Sequence, residues 1–259
     1  MSKKYALIGV EGNHDQAFVE KILRKLLGFN RFNGKVSELD PFWRKFIPVY
    51  PKNGKLYARL DMPSILVKDE LSVAIYAGEG SKLVTNLKDK LSNIDRDRIS
   101  AFAIIADADR KSPIDIARNY QKGLQEYFPN FPDRPGTISR ETPRSGIYIL
   151  PDNSKEGVLE TLLRRCGEIA YPTYLEQAEN YLNSFSEAEI KKLKWKPFDH
   201  EKSLIATVVS ILKPGKTNTT SISDNHWVSE KTYAAITELQ ELVDFLTTLL
   251  GIEANIKSG

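Results

Sequence analysis

The chain has 259 residues, 41% hydrophobic and 27% charged, which is enough apolar material for a sizeable core. Lys and Arg number 37 against 34 Asp and Glu, so no overall basicity announces a nucleic-acid ligand, although a local basic surface is compatible with this balance. The single cysteine, Cys166, excludes an internal disulfide and a multi-thiolate zinc site and fits a reducing cytoplasm; no secretory signal is read, and no apolar stretch approaches the roughly 20 residues that span a bilayer.

Residues 6–10 form a continuous apolar run that predicts a buried strand, and residues 15–27 follow with Phe18, Val19, Ile22, Leu23, Leu26 and Leu27 at helical spacing. The pattern recurs. Residues 71–77 predict a strand, Gly78-Glu79-Gly80 a turn, and 81–94 a helix with Leu83, Val84, Leu87 and Leu91 inward. The run at 99–106 predicts a third strand; Asp107-Ala-Asp109 follows, and Ser112-Pro113 opens a helix reaching 128. Residues 146–150 predict a fourth strand, leading through Pro151-Asp152-Asn153 into a helix over about 155–165.

Continuous apolar strands alternating with helices predict an α/β fold, a mostly parallel sheet flanked by helices. Residues 30–70, rich in Phe, Pro and Lys, are too long for an ordinary connection and read as an insertion after the first helix. After Gly167 the chain reads as helical, over about 172–185, 187–194, 200–212 and 229–250. The expected organisation is therefore a core over 1–167 and a helical C-terminal region over 168–259 packed on it.

Right-handed crossovers place the strand ends on one edge, where open sheets of this kind bind ligands. That edge would carry Glu11, Glu79, Asp107, Asp109 and Asp152. Gly12 is expected to let the backbone turn sharply after Glu11. In extended chain Asp107 and Asp109 share a side, and clustered carboxylates repel unless a cation lies between them. Glu11, Asp107 and Asp109 together make a plausible Mg2+ site, because a hard cation takes oxygen ligands; Mn2+ is the alternative ion.

The stretch V10-E11-G12-N13-H14-D15 followed by strand-borne D107-A-D109 resembles the Toprim domain of topoisomerases, bacterial primases, OLD-family nucleases and a small nuclease that matures ribosomal RNA precursors. The likeness is greatest to uncharacterised OLD-like Toprim proteins. G146-I-Y-I-L-P-D-N153 and G157-V-L-E160-T-L-L163 resemble that group's strand and acid-bearing helix, and H200-E-K202-S-L-I-A206 resembles its lysine-containing helix. The resemblance implies metal or acid/base work for Glu11, Mg2+ ligation for Asp107 and Asp109, and phosphorane support from Lys202, with Asp15, Asp152 and Glu160 behind them. It implies Mg2+-dependent hydrolysis or nicking of DNA or RNA. A module of Toprim type that binds nucleic acid, nucleotide or a partner protein without catalysis is the alternative. No ATPase motif is found, which leaves room for a separately encoded ATPase partner; homo-oligomerisation is compatible with the sequence, and the expected compartment is the cytoplasm.

Other readings are weaker. Lys111 stands where a haloacid-dehalogenase motif needs Thr or Val. Gly78-Glu79-Gly80 begins like a dinucleotide fingerprint, but Leu83 replaces its third small residue, and Gly215-Lys216-Thr217 ends like a P-loop but follows a helix and lacks the leading glycine. The run Lys191–Lys196, with Trp195, could touch a phosphate backbone and stack on a base, against a charged helix end with one inward aromatic. His14 reads as a solvated turn residue, and Trp43 and Trp227 as packing.

Overall fold

The computed structural model describes residues 3–47 and 62–253. Seven strands form one sheet: β1 (Lys4–Val10), β2 (Asn30–Arg31), β3 (Ser64–Lys68), β4 (Leu71–Ala77), β5 (Ile99–Asp107), β6 (Thr137–Ile138) and β7 (Arg144–Leu150), in the order β2-β3-β4-β1-β5-β7-β6. β4, β1, β5 and β7 run parallel, whereas β2, β3 and β6 add antiparallel edges. This is a mixed α/β fold with a mostly parallel sheet flanked by helices.

Both faces of the sheet are covered, and side-chain alternation sorts the strand residues between them. Ala6, Ile8 and Val10 of β1 and Ala101, Ala103 and Ile105 of β5 face one cluster. It includes residues of α1 (Asn13–Lys25), α5 (Leu159–Ala170), α6 (Pro172–Asn183), α8 (Asp199–Leu212), α9 (Asn218–Asp224) and α11 (Thr237–Leu250). Leu7 of β1 and Phe102, Ile104 and Ala106 of β5 face the other cluster. There the cover is α2 (Pro41–Arg44), α3 (Leu83–Leu91) and α4 (Pro113–Leu124). The helix that follows β1 thus lies on one face and the helix that follows its neighbour β5 lies on the other. That is a topological switch point, the place where open sheets of this kind offer a crevice to ligands, at the carboxyl ends of the two strands.

Several expected boundaries move. The 30–70 segment is not a free-standing insertion: its two ends form β2 and β3, which extend the main sheet, while 48–61 lie outside the described residues. Short strand content rich in polar residues hid β2 and β6. The helix expected at 155–165 starts only at Leu159 and runs to Ala170, so a boundary at 167 falls inside it. The helix expected over 229–250 is two, α10 (Glu230–Ala235) and α11, separated at Ile236. α7 (Glu187–Lys192) is short, and α9 was not expected; Thr217 of the discarded P-loop mimic caps it, accepting the Thr220 N–H at 3.3 Å. Trp43 and Trp227 are fully buried and donate to Ser72 and Ser221 hydroxyls. Trp195 is half-buried against the larger cluster.

Candidate functional site

β1 ends at Val10, so Glu11 is the first residue past the sheet, and its carbonyl accepts the Gly80 N–H at 2.8 Å. The Gly78-Glu79-Gly80 turn, with Glu79 and Gly80 both at positive φ, is therefore a buttress for Glu11 and not a nucleotide fingerprint. Gly12 does not supply the expected sharp turn: at φ −144° and ψ 179° it is extended, a conformation open to any residue. Its N–H is what matters, donating to the Asp15 carboxylate at 2.8 Å as α1 begins.

β5 delivers Asp107 as its last residue. One Asp107 oxygen accepts the Leu159 N–H at 2.8 Å, so the carboxylate sits at the positive end of α5. Asp109 is exposed, at φ 52°, and exchanges two main-chain hydrogen bonds with Gly157. The same helix start brings Glu160, buried, to His14, whose Nδ1 lies 3.3 Å from its carboxylate.

Glu11, Asp15, Asp107, Asp109 and Glu160 form one electrostatic cluster. Burial, then the charges of Asp15, Glu11, Glu160 and Asp109, push the Asp107 carboxyl well above its ordinary range. Asp15 is pushed up to about 7 by burial and then by Glu11 and Glu160. Glu11 is raised chiefly by burial, with Asp109 adding to it; the Tyr120 hydroxyl, donating at 3.1 Å, and Lys111 pull the other way. Burial and the Glu11 charge in turn push the Tyr120 phenol upward.

Two expected members stand apart. Asp152 does not join the cluster: its carboxylate accepts from the Ser154 and Lys155 N–H groups at 3.0 and 2.8 Å and pairs with the Lys155 ammonium, closing its own turn. These hydrogen bonds outweigh burial and lower its pKa. Lys202 lies exposed on α8, and among the described residues no hydrogen bond or ion pair ties its ammonium to the acids. The cation that acts on Glu11 is Lys111. Neither Lys111 nor Tyr120 was singled out for the site from the sequence, though Lys111 stands two residues past Asp109.

As placed, no three His, Cys, Asp or Glu side chains among the described residues converge in a metal-holding geometry. The donor set itself is all oxygen, the chemistry a hard cation takes.

Fold and site together define an α/β protein with an acidic crevice at a topological switch point. The chain belongs to the family described as "Protein of unknown function (DUF3226)", whose sequence model matches residues 5–251. No curated protein matches the chain. Among solved structures it is similar to the crystal structure of hypothetical protein PH0156 from Pyrococcus horikoshii OT3, with 20% identity, a TM-score of 0.46 and 95% of each chain covered.

Proposed function

We propose that the acidic crevice is a Mg2+-dependent site for hydrolysing or nicking phosphodiester bonds in DNA or RNA, in a fold of Toprim type. The observation that carries this reading is the crowding of four carboxylates around Asp107, all of which push its proton affinity up. Such crowding costs stability, and a divalent cation relieves it. Mn2+ would serve the same donors.

Glu11, Asp107 and Asp109 are the proposed ligands, brought by two adjacent strand ends. The ion, when bound, would polarise the phosphoryl oxygen and lower the pKa of its water. The hydrogen bonds to Tyr120 and Leu159 each occupy one carboxylate oxygen and leave lone pairs for an ion, but the side chains as placed do not converge, so binding requires one or more to reorient. Asp15, raised by burial and by Glu11, is buried and accepts the Gly12 N–H, so it adds charge behind the proposed ligands. His14 places its Nδ1 3.3 Å from the Glu160 carboxylate. Lys202 has no part in this account, and Lys111 takes its place as the nearby cation. The single buried thiol suits a cytoplasmic setting; among the described residues no helix is long and apolar enough to cross a membrane.

The internal hydrogen bonds of Glu11, Asp15 and Asp107 favour one second reading, a non-catalytic module in which the acids organise the loops. Incubating the protein with plasmid, single-stranded DNA and structured RNA in Mg2+ or Mn2+, beside Glu11→Gln and Asp107→Asn, separates the two. Cleavage by the wild type alone supports hydrolysis; three inert proteins support the module, and equal cleavage by all three indicts a contaminant.

A further inference from the structure

α1 begins in the acidic cluster and ends in a basic pocket. Lys21, Arg24 and Lys25 near its C-terminus join Arg31 of β2, with Asn30 and Asn33, around a concavity of about 350 Å³. Their charge is only partly answered. Glu20 pairs with Arg24 and Arg31 at 3.3 and 3.5 Å, and Glu230 with Lys25 at 3.1 Å. Lys21 donates to the Ser223 carbonyl at 2.7 Å instead of to an acid. Four cations thus meet two pairing carboxylates. Burial chiefly, then the neighbouring Arg24 and Lys25, depress the Lys21 pKa, with Asp224 pulling the other way.

A second cleft lies along the same helix and shares Arg31 with the pocket. Asn13, Gln16 and Glu20 line that neighbouring cleft together with Arg31, which belongs to both. Residues 13, 16 and 20, with 24 beyond, recur at helical spacing on one face of α1. From residue 13 to 24 the helix rises about 17 Å, the length of a few nucleotides of an extended strand. The middle cleft offers the hydroxyls of Thr219 and Thr220 from the α9 side, which suit base edges more than phosphates; Gln16 there is buried and already donates to the Met62 carbonyl and Ser64, and Glu20 and Asp224 make the cleft acidic.

We propose that the pocket of Lys21, Arg24, Lys25 and Arg31 holds a backbone phosphate of a polynucleotide strand that runs along α1 to the acidic crevice. The course of the strand rests on the phosphodiester reading above; the phosphate pocket does not. An anion there would neutralise the surplus charge, and it would position a strand whose next contacts reach the site of chemistry. This gives the near-neutral chain the local basic surface that its overall charge conceals.

The test is binding of a labelled single-stranded oligonucleotide to the full chain in EDTA, where metal-dependent cleavage does not occur. The double variant Arg24→Gln/Lys25→Gln is expected to bind about tenfold more weakly and to reduce the slope of log K against log salt by about 0.7, one lost phosphate contact. Asn33→Asp breaks no ion pair yet adds a carboxylate at the rim, and it should weaken binding about threefold with an unchanged melting temperature. The proposal is overturned if wild type binds no strand, or if both variants bind as wild type does. Loss confined to Lys191→Gln/Lys194→Gln would overturn it too, by moving the contact to the lysine run before Trp195. So would displacement by inorganic phosphate or a nucleoside triphosphate at concentrations far below those of competing oligonucleotide, which marks a small-anion site. If binding behaves as expected and no cleavage follows with Mg2+, the pocket stands and the hydrolytic reading fails.

Discussion

Asp107 and Leu159 stand 52 positions apart in the chain, yet the Asp107 carboxylate accepts the Leu159 main-chain N–H at 2.8 Å. One group therefore does two things at once: it satisfies the first turn of α5, and it places a charge among Glu11, Asp15, Asp109 and Glu160. Asparagine keeps the acceptor and removes the charge. Asp107→Asn is expected to raise stability by about 1–2 kcal/mol at pH 8 in EDTA, a few degrees in Tm, while abolishing cleavage. Asp107→Leu removes both and should lower Tm. Thermal unfolding of the two variants checks the opposite signs.

The raised Asp15 carboxyl fixes a pH dependence. In the unfolded chain this group loses its proton near its ordinary value of 3.8, whereas in the fold it holds the proton to about 7. Between those values the folded state binds more protons, so stability falls as pH rises and levels off above about 7, by an upper figure of about 4 kcal/mol. Asp107 contributes with the same sign. Denaturant unfolding from pH 4 to 8 in EDTA should show this decline, and Asp15→Asn should flatten it. Millimolar Mg2+ should restore stability at pH 8 and do little at pH 4.

Tyr120 favours the charged form of Glu11 through a 3.1 Å hydrogen bond, against the larger upward push of burial. In Tyr120→Phe the Glu11 carboxyl rises further, because burial and Asp109 act unopposed by that donor. The expected result is weaker Mn2+ binding than wild type at pH 7, by a margin that narrows at pH 9 because metal and proton compete for the Glu11 carboxylate. Manganese titrations at the two pH values test it.

Two glycines at the site edge differ in kind. A Cβ on Gly78 would lie 2.7 Å from the Leu83 Cα, a clash with backbone, whereas one on Gly12 would meet only the Asp15 carboxylate at 3.4 Å. Gly78→Ala should cost about 1–3 kcal/mol and Gly12→Ala less than about 1 kcal/mol, measured by urea unfolding.

The sequence disclosed the parallel core because its strands are buried on both faces and read as unbroken apolar runs, as in residues 99–106. It concealed β2 and β6, two-residue edge strands whose pairing depends on neighbours distant in sequence. The placement of Glu11, Asp107 and Asp109 at strand ends was legible because each stands at or just past the end of an apolar run. Asp15 looked like a helix-opening acid and is one, but it also belongs to the cluster, since the turn after β1 is short. Asp152 misled for the same reason that the others did not: it follows a strand, yet its own turn consumes its carboxylate. Tyr120 was out of reach because it arrives from α4, 109 residues from Glu11, and one tyrosine among 11 carries no local signature.

The most direct test of the acidic crevice as a cation site is a titration with Mn2+ followed by electron paramagnetic resonance, on wild type, Glu11→Gln and Asp107→Asn at pH 8. The account predicts that wild type removes free Mn2+ from solution, that Mg2+ displaces it, and that each variant loses at least tenfold in affinity. Equal Mn2+ binding by all three proteins, or none by wild type, would contradict it.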